Sequence, residues 1–141
     1  MSDKTFVDTN ILIYAHDADA QSKHLIAKRV LRELWEDRNG ILSPQVLQEF
    51  YVNVTRKIAH PIPKESARLV VGAYFIWCSD MTPAELSAAF RIEDEYRIGF
   101  WDALIVASAV SSGATRILSE DLNHGQNISG VVITNPFVPA E

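Results

Sequence analysis

The chain of 141 residues holds a single cysteine, Cys78, which excludes an intrachain disulfide framework and a cysteine-rich zinc site. Cys78 reads instead as a small buried hydrophobe. Basic charge is scarce as well. Lys and Arg number 13 against 18 Asp and Glu, for a net charge of -5, so no broad cationic surface is available to a polyanion and any contact with nucleic acid must be local. Long apolar runs are missing too: the longest, residues 69–78, contains a glycine and is about half the ~20 residues a spanning helix needs. No basic segment leads into an apolar run after Met1, so neither a signal nor a transit peptide is expected, and a soluble, cytoplasmic protein with no membrane partner is. His16, His24, His60 and His124 lack metal-binding spacing and read as incidental surface residues. No glycine-rich phosphate loop is present, which leaves nucleotide cofactors without support.

What the chain does have is apolar material, 48% of its residues, enough for one core and one domain over residues 1–141. Thr5-Phe-Val forms a short β-prone run, and Asp8-Thr9-Asn10 after it favours the start of a helix over residues 11–16. Thr9 and Asn10 can cap that helix and leave Asp8 for another role. From Ser22 apolar residues recur at three- and four-residue steps until Asn39-Gly40, which reads as the stop of an amphipathic helix. Ile41-Leu42 follows as a brief strand. Ser43-Pro44 then begins a helix expected over residues 44–59, with Pro61 and Pro63 beyond it. Residues 64–77 read mostly as helix, with an end ambiguous between helix and buried strand. Thr82-Pro-Ala-Glu85 is a cap, proline and N3-glutamate arrangement that opens a helix towards Tyr96. Residues 100–112 form a helix apolar on every side, therefore central and buried, and Gly113 stops it. Residues 115–118 and 131–134 are strands, with a polar loop over residues 120–129 between them. Strands alternating with helices predict a mainly parallel sheet covered on both faces, an α/β fold whose ligands bind beyond the carboxyl ends of the strands.

Four acids matter against that frame. Asp8 and Asp121 follow apolar runs at strand ends, and Asp102 lies in the first turn of the otherwise uncharged helix at Phe100-Trp-Asp102-Ala-Leu-Ile. A carboxylate lodged in a core-like segment needs a partner, because desolvating an unpaired charge costs more than a helix dipole returns. Carboxylates gathered at strand ends point to a hard divalent cation, Mg2+ or Mn2+, held by oxygen ligands. Glu49 is the fourth. Periodicity places it opposite the apolar face of its helix, which predicts a solvated residue, while Asn53 and Arg56 share its stripe and could add an amide and a phosphate-binding guanidinium. Asp121 is preferred to its neighbour Glu120 because it lies further beyond the strand.

The run Phe6-Val-Asp8-Thr9-Asn10-Ile-Leu12, the helix of residues 44–53 with Glu49, the block Trp101-Asp102-Ala-Leu-Ile105 with Ala107, and Leu118-Ser-Glu-Asp121-Leu122 together resemble the PIN-domain ribonucleases. Most closely they resemble VapC-type toxins of bacterial toxin–antitoxin pairs. The resemblance implies a three-layer α/β/α sandwich and a Mg2+- or Mn2+-dependent endoribonuclease. It also implies a homodimer, an RNA substrate and a cognate antitoxin that holds the enzyme inactive. By match, Asp8, Glu49, Asp102 and Asp121 become the catalytic and metal-binding acids, with Thr9, Asn10 and Ser119 supporting them, despite the periodicity at Glu49. Asn53 and Arg56 remain candidate substrate contacts. Other readings are a catalytically inactive RNA- or partner-binding module of the same fold, and a nuclease of that fold acting on DNA. A phosphatase of the haloacid-dehalogenase kind would need Asp-x-Asp after the first strand, where this chain has Asp8-Thr9-Asn10.

Overall fold

The computed structural model describes residues 3–139. Strand β1 (Lys4–Val7) buries Phe6 and Val7 completely and delivers the chain to Asp8. Asp8 is itself the N-cap of helix α1 (Thr9–Ala15), which therefore begins two residues earlier than the expected start at residue 11. Its extended backbone and the acceptance of the Thr9 N–H by its carboxylate make it the cap, in place of Thr9 or Asn10. Helix α2 (Ser22–Asp37) ends with Arg38 in the left-handed conformation at φ 56°. Gly40, expected as part of that stop, belongs instead to strand β2 (Gly40–Ile41). A Cβ at residue 40 would stand 2.6 Å from the Trp77 indole, so the glycine is there for the close approach of a buried ring.

Ser43 caps helix α3 (Pro44–Arg56), and its hydroxyl accepts from the Val46 N–H at 3.4 Å. The helix stops three residues short of the expected Ala59; the backbone turns at Lys57, and Ile62 N–H reaches back to the Val54 carbonyl at 2.7 Å. Helix α4 (Lys64–Tyr74) tightens into a 3-10 turn over Phe75–Trp77, after which Cys78 forms a parallel bridge with Leu42. The ambiguous end of this segment is thus a helix that unwinds towards the sheet edge. Cys78 is half-buried there, less enclosed than expected.

Helix α5 (Pro83–Tyr96) carries the expected capping box, and Glu85 also accepts from the Ser111 hydroxyl at 2.6 Å, which ties α5 to helix α6 (Phe100–Ser111). From Ala103 to Ala109 every residue of α6 is buried. Gly113, at φ 82°, turns the chain into strand β3 (Ala114–Leu118). The expected polar loop hides a two-residue strand, β4 (Asn127–Ile128), joined to β5 (Val131–Thr134) through Ser129 and Gly130, both at positive φ. Two such residues make the tight hairpin turn whose twist matches the strands.

Among the described residues the sheet has five strands in the order β2-β1-β3-β5-β4, parallel except for the β4–β5 pair. The chain steps one way from β1 to β2 and then back across β1 to β3, so right-handed connection puts α1 and α2 on one face and α6 on the other. In keeping with this, α6 packs on β3, β5 and α5. The carboxyl ends of β1 and β3 meet at the centre: Val7 registers with Leu118, and Asp8 N–H donates to the Leu118 carbonyl at 3.0 Å. Among the described residues no helix is long and apolar enough to cross a membrane.

Candidate active site

Asp8 lies at that junction and is 5% exposed. Its Oδ1 accepts the Thr9 N–H at 2.7 Å; its Oδ2 accepts the Ser119 hydroxyl at 2.7 Å and the Asn10 amide at 3.2 Å. The same Asn10 amide donates to Asp121 Oδ2 at 3.1 Å, and Asn10 Oδ1 accepts the Glu120 N–H at 3.2 Å. One short side chain from α1 thus clamps the segment after β3. The Ser119 hydroxyl completes the frame by accepting the Asp121 N–H at 3.1 Å. This bond bends the chain so that consecutive acids part company. Asp121 faces Asn10 and solvent, whereas Glu120 accepts from the Tyr14 hydroxyl and pairs with Lys23 at 2.7 Å.

Burial pushes the Asp8 carboxyl up to about 6, against the opposing hydrogen bonds from Ser119 and Thr9; the nearby charges of Asp121 and Asp102 raise it further. The Asp102 carboxyl, half-buried in the first turn of α6, is likewise pushed above its ordinary value, first by burial and then by Asp121 and Glu49. Asp8, Asp102, Asp121 and Glu49 are therefore linked by mutual repulsion across four elements of the chain. Glu49 is exposed, as periodicity predicts, and still belongs to this group because its charge acts on Asp102. Gln45, buried one turn earlier on α3, fixes it by donating to Oε1 at 2.7 Å.

Among the described residues no three His, Cys, Asp or Glu side chains are drawn together as a ready metal shell. The donor set is nonetheless all oxygen and bears uncompensated negative charge where Asp8 and Asp102 are raised. Such a set fits a hard cation that keeps several waters and takes only one or two carboxylates directly.

The remaining sequence candidates fall in different places. Thr9 contributes its backbone N–H, while its hydroxyl is buried without a hydrogen-bond partner. Asn53 turns its amide onto the Glu49 carbonyl at 2.8 Å, within its own helix. Arg56 is exposed at the end of α3. The histidines are not uniformly superficial: His16 is part-buried against Tyr74, 2.9 Å from its hydroxyl, and His24 bonds the Tyr14 carbonyl at 2.9 Å. Sequence reasoning missed Gln45 and the Tyr14–Glu120–Lys23 group. The first had a signal, its position one helical turn before Glu49; the second joins residues separated by a hundred positions or so and had none.

The family model for the PIN domain matches residues 5–127. No curated protein matches the chain. Among solved structures, VapC20 of Mycobacterium tuberculosis, a sarcin–ricin loop cleaving toxin, superposes with a TM-score of 0.61 at 20% identity, over 81% of this chain and 87% of that one. A toxin–antitoxin complex from Klebsiella pneumoniae gives 0.68 at 17% identity, covering 95% and 98%. DNA-bound VapBC from Salmonella typhimurium gives 0.67 at 18% identity, covering 96% and 99%. At these identities the likeness is one of fold.

Proposed function

Because the chain belongs to the PIN-domain family, we propose that it is a Mg2+- or Mn2+-dependent endoribonuclease and the toxin of a toxin–antitoxin pair. The observation that carries this reading is the buried, raised Asp8, joined through Asn10 and Ser119 to Asp121 and coupled by charge to Asp121 and Asp102, the latter in turn facing the charge of Glu49. Its structural neighbours include toxin–antitoxin complexes and an RNA-cleaving toxin, which supports an RNA substrate and a cognate antitoxin as partners. A homodimer and a cytoplasmic location are part of the same reading.

In this mechanism Asp8 and Asp102 would be the principal ligands of the cation, and Glu49 and Asp121 would complete the acidic surround. The bound cation supplies neutralisation of the phosphate charge and acidification of a water molecule. Ser119 and the Thr9 N–H hold Asp8 in one rotamer, and Asn10 sets the distance between Asp8 and Asp121. The acids orient a water for in-line attack: its oxygen bonds to phosphorus as it gives up a proton to a carboxylate of the group, a P–O ester bond breaks, and the leaving oxygen takes up a proton from solvent. Arg56, on the stripe of Glu49 and exposed, holds a flanking phosphate.

The test is cleavage of total cellular RNA by purified protein, free of antitoxin, in Mg2+, Mn2+ or EDTA. Metal-dependent fragments are expected from the wild type and not from folded Asp8→Asn or Asp102→Asn. Absence of cleavage under every condition would sink the nuclease reading.

A further inference from the structure

Trp101 is out of character with its helix. From Ala103 to Ala109 α6 is wholly buried, yet Trp101, adjoining Asp102, is 66% exposed. Its ring is braced from one side: Phe100 meets it nearly edge-on at 5.1 Å, and Phe90 of α5 lies 5.8 Å from Phe100. Trp101 itself lines a cleft of about 380 Å³ together with Gln45, Gln48 and Glu49 of α3. The indole is therefore one wall of a cleft whose other wall carries a member of the acid group.

We propose that Trp101 positions the substrate by stacking an unpaired nucleobase of single-stranded RNA, with the adjoining phosphodiester directed to Asp102 and Glu49. The proposal rests on the nuclease reading above and deepens it. A flat apolar ring held at the edge of a site gains from a flat partner, and every base offers one. Stacking is also indifferent to charge. That matters in a chain of net charge -5, where phosphate contacts are few and acids surround the site. Duplex bases are already stacked on each other, so a single strand, loop or bulge is the matching form. The opposing wall favours a base over a second copy of the chain, because Gln48 exposes an amide that both donates and accepts at a base edge.

The experiment uses single-stranded RNA oligonucleotides carrying 2-aminopurine at successive positions, with wild type, Trp101→Phe and Trp101→Leu. Cleavage kinetics are read in Mg2+, and binding is read by fluorescence in an Asp8→Asn background. Trp101→Leu should raise KM by about tenfold or more with kcat little changed, on the scale of one lost base stack. Trp101→Phe should restore most of the loss, and one labelled position should be quenched by the indole and released in Trp101→Leu. Equal KM for Trp101→Leu and wild type, or no position quenched, overturns the proposal. So does a KM defect accompanied by dissociation of a dimer in sedimentation, which would assign Trp101 to a subunit contact. Quenching that depends on Trp101 without any cleavage by wild type would uphold stacking and discard the nuclease.

Discussion

Glu85 and Asp8 are chemically alike, each 5% exposed, and each accepts three hydrogen bonds, but Asp8 lies deep at the meeting of strand ends whereas Glu85 lies shallow at a helix start, where burial opposes its charge only weakly. Glu85 takes the Thr82 N–H, the Thr82 hydroxyl and the Ser111 hydroxyl; Asp8 takes the Thr9 N–H, the Asn10 amide and the Ser119 hydroxyl. Their acidities nevertheless move in opposite directions. The donors, Ser111 first, hold Glu85 down to about 2, while burial lifts Asp8 to about 6 with Asp121 and Asp102 adding to it. The supply of hydrogen bonds thus does not distinguish a structural carboxylate from a candidate catalytic one. Enclosure between β1, β3 and α1, together with like charges nearby, leaves Asp8 a deficit that a cation can meet. Glu85, which fastens one helix start to the next helix, has no such deficit.

The largest effect that would sharpen this contrast is catalytic. Asp8→Asn or Asp102→Asn should lower kcat by about 100-fold or more, the scale on which preorganised charge at a reacting phosphate acts. Asp8→Asn should at the same time raise the thermal midpoint of the metal-free protein at pH 8, because it removes a buried repelled charge. A lower midpoint in differential scanning calorimetry with EDTA would break the comparison. The second effect concerns pH. Asp8 binds a proton more tightly in the folded protein, at about 6, than its ordinary 3.8, so the folded state holds more protons between these values. Stability contributed by neutral Asp8 is complete below that lower value and is lost as pH rises through 6, about 3 kcal/mol in all. Glu85 tilts the other way: its contribution is present above its ordinary 4.5 and is lost as pH falls towards 2. Urea unfolding in EDTA across pH 4 to 8, as the difference between wild type and Asp8→Asn, isolates the first slope. Mg2+ at pH 8 should stabilise the wild type and leave Asp8→Asn nearly unchanged.

Both carboxylates were visible in the sequence, but for different reasons. Glu85 was legible because a capping box is local, spanning four residues whose spacing states its own geometry. Asp8, Asp102 and Asp121 were legible through topology, since a parallel sheet collects its strand ends and helix starts on one edge. Glu49 needed the resemblance to a family, because helical periodicity describes exposure and not the effect of its charge on Asp102 of another helix. Where a feature depended on contacts between distant segments, local rules failed. Gly40 looked like a helix stop and serves the Trp77 ring. His16 looked superficial and packs on Tyr74 and Phe50 from other helices. Strand β4 was lost inside a polar stretch, although Ser129-Gly130 was the turn signal that would have revealed it.

A smaller effect should come from loosening the structural carboxylate. Glu85→Gln keeps the shape but exchanges a charged acceptor for a weaker one, so the midpoint should fall by a few degrees with RNA cleavage retained. Loss of cleavage at full folding would mean that the α5–α6 fastening also sets Asp102 and would merge the two regions.

The smallest and most local test removes one donor from Asp8. Ser119→Ala deletes the hydroxyl that opposes burial most strongly at that carboxyl and that also accepts the Asp121 N–H. In metal-free protein the Asp8 carboxyl should then titrate higher still, by about one pH unit, on the scale of a single hydrogen bond to a charged group. Carboxyl-carbon NMR of wild type and Ser119→Ala reads this directly. An upward move shows that Ser119 was restraining a charge the fold otherwise disfavours. A carboxyl that titrates unchanged would mean that Asn10 and Thr9 alone fix Asp8, and that Ser119 matters chiefly for turning Asp121 away from Glu120.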